Sequence, residues 1–154
     1  MNCSHIEFCT DKSKLDLPKL QSLYETTTFW AKNRTLEDIE IAIANSNAVV
    51  SVWDNERLIG SARATSDGIY RATIWDVVIH PDYQGLGLGR KLVETLISHP
   101  LLNRVERVYL TTTHQQKFYE KIGFTENQTT TMVLYNSYPT TNDLLREVEK
   151  AVAV

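Results

Sequence analysis

Three glycines stand between an apolar strand and an amphipathic helix, and this arrangement decides much of the fold. Residues 84–91 have the sequence QGLGLGRK. The run Ala72–His80 before them is β-branched and apolar on both faces except for Asp76, which is typical of a central strand. The residues after them place leucines on one stripe of a helix: Leu88, Leu92 and Leu96. A strand, a glycine turn and a helix in succession predict an α/β domain.

Further helices and strands are predicted on both sides of this unit. Before it, the pattern indicates a strand at Ile6–Cys9, helices at 15–24 and from Leu36 to about Asn45, and strands at Ala48–Trp53 and Arg57–Thr65. After it, we predict a strand at Arg107–Thr112, a helix at Gln115–Ile122, a last strand at Thr130–Tyr135 and a helical tail from about Thr140. This order predicts one α/β domain over residues 1–154, with a core at about 6–136 and a mixed sheet.

Length, charge and hydropathy exclude several classes of protein. A chain of 154 residues fits one domain. The net charge of −3 argues against a nucleic-acid-binding protein, which needs a basic surface. The longest apolar runs have four residues, so we expect no membrane-spanning segment. The first residues resemble no targeting signal. Two cysteines, Cys3 and Cys9, are too few to stabilise a domain of this size through disulfides, so we expect a cytoplasmic protein with free thiols.

The glycine turn predicts a site for an anion. Glycines let the chain turn tightly and bring its amides close to a ligand. The following helix directs unpaired N–H groups and the positive end of its dipole to the same point. Arg90 and Lys91 add positive charge in the first helical turn. The alternative is a glycine turn selected only for close packing.

Two common phosphate motifs fail at a single position. A P-loop needs glycine five residues after its first glycine, and that place after Gly85 is Arg90. The dinucleotide fingerprint fails at the same arginine. The pattern that fits is Q-x-x-G-x-G, formed by Gln84, Gly87 and Gly89.

These motifs resemble a known family. Gln84-x-x-Gly87-x-Gly89 after the segment 76–81, with Phe118-Tyr119-x-x-x-Gly123-Phe124 downstream, resembles the GNAT superfamily of N-acetyltransferases over about Ala48 to Tyr135. Residues 62–67 followed by 72–77 are similar to its plant plastid and cyanobacterial branch, which includes serotonin N-acetyltransferases. The resemblance implies helices on both faces of a twisted mixed sheet of about six to seven strands, in which one parallel pair splays apart.

The resemblance also implies acetyl-coenzyme A as the acetyl donor. Its pyrophosphate would be held by the backbone amides of the glycine turn, namely Gln84, Gly85, Leu86, Gly87, Leu88, Gly89 and Arg90. The strand residues Val77, Val78 and Ile79 would bind the pantetheine arm and polarise the thioester carbonyl. Thr112 stands where the family often has Asn and the plant branch Asp; its hydroxyl can still bond the cofactor arm. His114, close by, would act as a base or cap the short helix.

Tyr119 is the candidate general acid. Its helix should bury Phe118 and Ile122, so that Tyr119 points about 100° away, toward the cofactor groove. A phenol with a pKa near ~10 can give a proton to a thiolate near ~8.5 when the two are within hydrogen-bond reach. The alternative is a half-buried aromatic residue at a helix edge, and the family resemblance favours the acid.

Asp76 is the candidate base or amine anchor. A carboxylate in an apolar strand is costly unless it is paired, and a cationic amine would compensate it while burial raised the pKa of the acid. The alternative is an aspartate satisfied by Arg63 on the preceding strand. In this family water often relays the proton, so Asp76 would then position the amine.

The acceptor is the most open question. Phe29, Trp30 and Trp75, with Arg63 and Asp76, are candidates to line a pocket for an aromatic amine. We expect a small arylalkylamine such as serotonin. The alternatives are a protein lysine or N-terminal amine, and a non-catalytic acetyl-coenzyme A sensor. The four histidines have no metal-ligand spacing, so we assign no metal, and we expect a monomer or homodimer that binds no nucleic acid and no membrane.

Overall fold

The computed structural model describes residues 5–135, which form a mixed sheet with helices on both faces. The strands are β1 (Ile6–Cys9), β2 (Ala48–Asp54), β3 (Arg57–Ser66), β4 (Arg71–Ile79) and β5 (Arg107–Tyr109), adjacent in that order. The helices are α1 (Leu17–Thr27), α2 (Leu36–Ala44), α3 (Leu88–Ile97) and α4 (Gln116–Glu120). Strands β1 to β4 are antiparallel neighbours, and β4 and β5 are parallel.

Side-chain caps fix where the first two helices begin. Asp16 accepts a hydrogen bond from the amide of Lys19 at 3.0 Å, ahead of a proline in the first turn of α1. The Thr35 hydroxyl accepts from the amide of Asp38 at 3.1 Å at the start of α2. Helix α2 therefore begins at Leu36, as predicted from the sequence.

The sheet separates two hydrophobic cores. On one face α3 buries Leu88, Leu92, Val93 and Leu96 against alternate residues of β2, β3 and β4. On the other face α1 and α2 bury Leu20, Leu23, Ile39 and Ile43 against the side chains that point the opposite way. Helices therefore cover both faces, as predicted. None of the helices within residues 5–135 is long and apolar enough to cross a bilayer.

The parallel pair β4 and β5 is joined over a short length only. The register pairs Arg71 with Arg107, Ala72 with Val108 and Thr73 with Tyr109, and then ends. Beyond Thr73, β4 continues to Ile79, whereas the chain beyond Tyr109 leaves the sheet toward α4. The two segments diverge, and an opening forms between them.

The sheet has fewer strands than predicted. Five are present among residues 5–135 where about six to seven were expected, and the strand predicted at Arg107–Thr112 ends at Tyr109. Residues 130–135, predicted as a last strand, pair with no neighbour within the described range, and Met132 and Leu134 are 90% and 87% exposed. A β-branched run becomes a strand only where another strand takes up its backbone groups. The tail predicted from Thr140 lies outside the described residues.

Candidate active site

The glycine turn leads directly into α3 and leaves its first amides unpaired. Gly85 and Gly87 have φ of +78° and +79°, a region that only glycine enters without strain. Gly87 precedes the helix without a side-chain cap, and the first helical bond runs from the amide of Lys91 to the Gly87 carbonyl at 3.2 Å. The amides of residues 85–90 have no hydrogen-bond acceptor within the described chain. They are available to an anion.

Space around the turn is also free. A Cβ atom built on Gly85 or on Gly87 would meet nothing within 4 Å, so a ligand can approach the backbone closely there. Gly89 differs, because a Cβ there would touch the Phe118 ring at 3.5 Å, an ordinary packing distance between α3 and α4. Arg90 forms an ion pair with Glu94 on the exposed helix surface, where Arg90 Nε donates to Glu94 Oε1 at 2.7 Å.

Gln84 holds the turn rather than offering its own amide. The Gln84 amide donates to the Pro81 carbonyl at 3.2 Å, so it is not free for a ligand. Its side-chain Nε2 donates to the carbonyl of Ile79 at 2.9 Å. The glutamine of the motif thus connects the turn to the end of β4, whereas the family resemblance implied that its backbone amide would bind the pyrophosphate.

A β-bulge interrupts β4 next to this site. Ser61 pairs with Val78 and Arg63 pairs with Trp75, so Ala62 of β3 faces both Asp76 and Val77 of β4. Asp76 has φ of +54°, a left-handed conformation that aspartate tolerates better than most residues. The bulge sends Asp76 to the α1 and α2 side of the sheet, whereas regular alternation would place it with Ala72 and Ile74.

Two arginines clamp the Asp76 carboxylate. Arg63 Nε and Arg34 Nη1 each donate to Oδ2 at 2.7 Å, and Arg34 Nη2 donates to Oδ1 at 3.3 Å. The Asp76 side chain is only 7% exposed. Burial of a carboxylate is costly, and these charge-assisted bonds offset the cost. The sequence alternative of an aspartate satisfied by Arg63 is therefore present, with Arg34 as a second partner.

Sequence reasoning missed Arg34. It lies in the segment between α1 and α2, 42 residues before Asp76. No local periodicity or motif marks it, since the contact forms only when α2 packs on the sheet. Its guanidinium carbon also stands 5.1 Å from the ring centre of Trp30 and 5.5 Å from that of Tyr24. Burial, and then the charge of Asp76, raise the pKa of Tyr24 well above its ordinary value.

A cavity of about 540 Å³ opens where β4 and β5 diverge. Its walls come from the α1–α2 segment, from β4 and from residues 110–115; they include Phe29, Trp30, Trp75, Asp76, Val77, Thr112, His114 and Tyr119. The three aromatic candidates thus line one cavity together with Tyr119. Phe29 is 49% exposed at the rim, and the indole Nε1 of Trp75 donates to Thr65 Oγ1 at 2.9 Å.

Tyr119 lines this cavity from α4. Its ring packs edge-on against Phe118 and Phe124, with ring centres 4.9 and 5.8 Å away. Gly123, with φ of +109°, turns the chain after α4 so that the Phe124 amide reaches the Tyr119 carbonyl at 3.1 Å. Burial raises the pKa of the Tyr119 phenol above its ordinary value, so the phenol holds its proton at neutral pH.

Thr112, and not His114, makes the side-chain hydrogen bond just before α4. The Thr112 hydroxyl accepts a hydrogen bond from the Gln115 amide at 3.1 Å. His114 is exposed and makes no side-chain hydrogen bond with the described residues, so the expectation that it caps the helix is wrong. Both residues line the aromatic cavity.

Comparison with known proteins then decides the family. Residues 17–124 match the model of the family described as Acetyltransferase (GNAT) family. The chain belongs to the GNAT family. The match covers most of the chain and includes the glycine turn, the bulged strand and the helix that carries Tyr119.

Individual relatives agree with this GNAT assignment. The chain is 38% identical over 131 residues to the uncharacterized N-acetyltransferase ycf52 of Pyropia yezoensis, covering 79% of this chain and 74% of the relative. It is also 38% identical over 122 residues to a Glycine max protein named histone acetyltransferase TAP1, covering 71% of this chain and 52% of the relative. The chain thus spans about half of that second relative. These matches confirm the plant and plastid branch.

A solved structure has the same fold. An acetyltransferase of the GNAT family from Xanthomonas campestris pv. campestris aligns with a TM-score of 0.72 and 30% identity, over 80% of this chain and 87% of that one. GNAT enzymes use acetyl-coenzyme A, and the residues present fit it. The open glycine turn and its unpaired amides suit a diphosphate, and the gap between β4 and β5 suits an extended arm. Within residues 5–135 no cluster of three or more His, Cys, Asp or Glu side chains is arranged to hold a metal.

Proposed function

We propose that this GNAT protein transfers the acetyl group of acetyl-coenzyme A directly to a primary amine, with a small arylalkylamine such as serotonin as the acceptor. The observation that carries the proposal is the cavity between the diverging strands. Phe29, Trp30 and Trp75 supply aromatic walls, and Tyr119 stands beside them. Aromatic side chains pack well against an aromatic amine and also attract its cationic form.

Backbone amides hold the donor in this proposal. The amides of Gly85, Leu86, Gly87, Leu88, Gly89 and Arg90 bind the pyrophosphate at the start of α3. When bound, acetyl-coenzyme A supplies an acyl group activated as a thioester. The side chain of Gln84 keeps the turn in place through the Ile79 carbonyl.

Strand β4 directs main-chain donors toward the reacting carbonyl. The His80 amide, which follows Ile79, donates to the carbonyl of Ile59 on β3 at 2.8 Å. Alternation along the strand then turns the Ile79 amide away from β3 and into the opening. With the pantetheine arm along Val77, Val78 and Ile79, this amide and that of Val77 bond the arm and polarise the thioester carbonyl.

Protons move through Tyr119 and through water. The Tyr119 hydroxyl, kept protonated by burial, donates its proton to the departing sulfur. The three bonds that Asp76 accepts from Arg34 and Arg63 favour a positioning role over direct removal of the amine proton. Thr112 lines the cavity, and in this proposal its hydroxyl contacts the donor arm.

An acceptor panel tests the proposal. The full chain is assayed for thiol release from acetyl-coenzyme A with serotonin, tyramine, butylamine, free lysine and histone-tail peptides. We expect the highest kcat/KM for the aromatic amines. A higher kcat/KM for the peptides would make a protein amine the acceptor instead. Absence of transfer to any amine would contradict the assignment as an enzyme.

A protein amine is the second candidate acceptor. The cavity opens to the surface at Phe29, and the related protein from Glycine max is named a histone acetyltransferase. A peptide acceptor needs such an open rim, whereas a small amine needs enclosing walls. Matched peptides with a free or an acetylated N-terminus separate N-terminal from lysine transfer.

Three further expectations remain proposals. We propose one domain over residues 1–154, a monomer or homodimer, and a cytoplasmic site of action. Sedimentation of the full chain measures the assembly, and imaging of a fluorescent fusion in the host cell measures the location. A chloroplast signal in that experiment would replace the cytoplasmic assignment.

A further inference from the structure

Arg34 joins the aromatic wall of the acceptor cavity to the bulge of β4. Its two terminal nitrogens bond both oxygens of Asp76, at 2.7 and 3.3 Å. The same planar group lies 5.1 Å from the ring centre of Trp30, which lines the cavity. A guanidinium can make both contacts at once, because its edge donates hydrogen bonds while its face stacks on a ring.

The backbone around Arg34 is anchored as well. The Arg34 carbonyl accepts a hydrogen bond from Gln21 Nε2 on α1 at 3.0 Å. The Ala31 amide donates to the Thr28 hydroxyl at 3.2 Å, which holds the start of the same segment. Trp30 stands between these two anchors, where its ring packs near Tyr24, with ring centres 6.2 Å apart. The guanidinium of Arg34 adds a contact that connects the Trp30 ring to Asp76 of β4.

The partner of Arg34 is itself held in place. Asp76 is buried in the bulge and also accepts a bond from Arg63 Nε at 2.7 Å. Arg63 Nη1 in turn lies 3.3 Å from the hydroxyl of Ser46, just after α2. The bulge therefore provides a fixed, negatively charged point beside the cavity, 42 residues from Arg34 in the chain.

We propose that Arg34 is a positioning residue that sets the preference of this site for aromatic over aliphatic amines. It acts through Trp30, which it holds against the cavity, and not on the acetyl donor. The inference rests on the proposed function, because it concerns the acceptor pocket of that reaction. Loss of Arg34 frees the Trp30 ring and leaves the glycine turn unchanged.

Selectivity between two amines of equal charge tests this inference. With Arg34→Met, we expect the ratio of kcat/KM for serotonin to kcat/KM for butylamine to fall about fivefold. The KM for acetyl-coenzyme A should stay unchanged. Arg104→Met is the matched control, since Arg104 is exposed and makes no ion pair with the described residues. An unchanged ratio in Arg34→Met, or an equal loss for both amines, overturns the inference.

A second readout does not depend on turnover. The chain has three tryptophans, so 5-fluorotryptophan labelling gives three fluorine resonances, and Trp30→Phe identifies that of Trp30. Arg34→Met should shift or broaden this resonance and spare that of Trp53, whereas Arg104→Met should move neither. A Trp30 resonance that stays in place overturns the inference. Failure of the unaltered chain to acetylate any amine contradicts the proposed function instead, and the resonance still tests the hold on Trp30.

Two more variants separate positioning from folding. Arg34→Lys keeps a positive charge beside Asp76 but lacks the planar group over Trp30, so it should lose selectivity as Arg34→Met does while losing less stability than Arg34→Met. In a Trp30→Leu background, Arg34→Met should change the selectivity ratio no further. A further fall of similar size would show that Arg34 acts by another route.

Discussion

The amide of Lys91 donates to the carbonyl of Gly87 at 3.2 Å, and the three residues between them offer their own amides to no acceptor in the described chain. This bond marks the first turn of α3. The turn is closed by one bond while the amides of Leu88, Gly89 and Arg90 still point outward. An anion at that point gains three donors without breaking any existing bond.

Substitution of Gly87 should affect stability and donor binding separately. Gly87→Ala costs about 1–2 kcal/mol of folding free energy through the left-handed backbone, and no steric clash is involved. Gly87→Glu adds a negative charge against the diphosphate, so coenzyme A affinity measured by calorimetry should be lost. Gly68→Ala is the control: its φ is +81°, its Cβ also meets open space, and it lies in the turn before β4. Unaltered affinity in Gly87→Glu would contradict the assignment.

Tyr119→Phe should lower kcat about 100-fold, because general acid catalysis commonly contributes that much. The dissociation constant for coenzyme A should stay unchanged, because the phenyl ring keeps its packing against Phe118 and Phe124. Tyr70→Phe, at an exposed tyrosine outside the cavity, is the control. Equal turnover in the Tyr119 and Tyr70 variants would remove the acid role.

Burial makes two tyrosines resist ionisation at high pH. Desolvation raises the pKa of Tyr24 and of Tyr119 above the ordinary value of 10.0. In each case the folded pKa exceeds the unfolded one, so the contribution to stability is complete below the unfolded pKa and is lost as pH rises through the folded pKa. Urea unfolding should therefore show that the unaltered chain loses more stability between about pH 9 and about pH 11 than Tyr24→Phe does. Equal losses in the two proteins would be inconsistent with a buried, protonated Tyr24.

Removal of the charge on Asp76 should destabilise the fold. Asp76→Asn leaves two guanidinium groups without their counter-charge, and we expect a loss of about 1–3 kcal/mol because Arg34 is partly solvated. Asp82→Asn is the matched control, since its pair with Arg57 is exposed on both sides and should be worth less than about 1 kcal/mol. Chemical denaturation of both variants measures the difference. If Asp76→Asn instead lost turnover with full stability, a direct base would be the better interpretation.

Two glycines beside the site should respond oppositely to alanine. A Cβ on Gly60 would stand 2.6 Å from Ile79 Cδ1 and 3.1 Å from the Val78 carbonyl, so Gly60→Ala should cost about 1–3 kcal/mol. Gly89→Ala meets the Phe118 ring at an ordinary 3.5 Å and replaces a helical glycine, so its stability should hold or rise by up to about 1 kcal/mol. Thermal melts compare them. If Gly60→Ala left the melting temperature unchanged, the end of β4 would adjust to the extra methyl group more easily than its packing indicates.

Local patterns were enough to predict most of the fold. The glycine turn, the helix after it and the β2–β3 hairpin each carry their own periodicity and turn residues within a short stretch of sequence. The strand predicted at Thr130–Tyr135 is absent because its pattern, taken alone, says nothing about a pairing partner. Strand β5 is shorter than predicted for a similar reason, because its pattern does not show where pairing with β4 ends. The chain then turns toward α4, where the Thr112 hydroxyl accepts a hydrogen bond from the Gln115 amide.

The site was less accessible to prediction. The structure brings four of the five candidate pocket residues to one cavity, namely Phe29, Trp30, Trp75 and Asp76, whereas Arg63 does not line it. The bulge at Asp76 and the contact of Arg34 were not foreseen, because both depend on how β3 and α2 meet β4. A strand that is apolar on both faces gives no sign in its sequence of an extra residue, and the spacing of residues does not reveal a salt bridge between distant segments.

The extra residue in β4 has a consequence for how this strand tolerates change. Excision of Asp76 would give Ala62 a single partner, Val77, and would return the ladder between β3 and β4 to one-to-one matching. Val77, Val78 and Ile79 would keep the sides of the sheet that they occupy now, because only the looped-out position disappears. Both hydrophobic layers could therefore be assembled from a chain one residue shorter. The alternation of the strand does not need the aspartate, which adds a kink beside the cleft and a charge that pairs with Arg34 and Arg63.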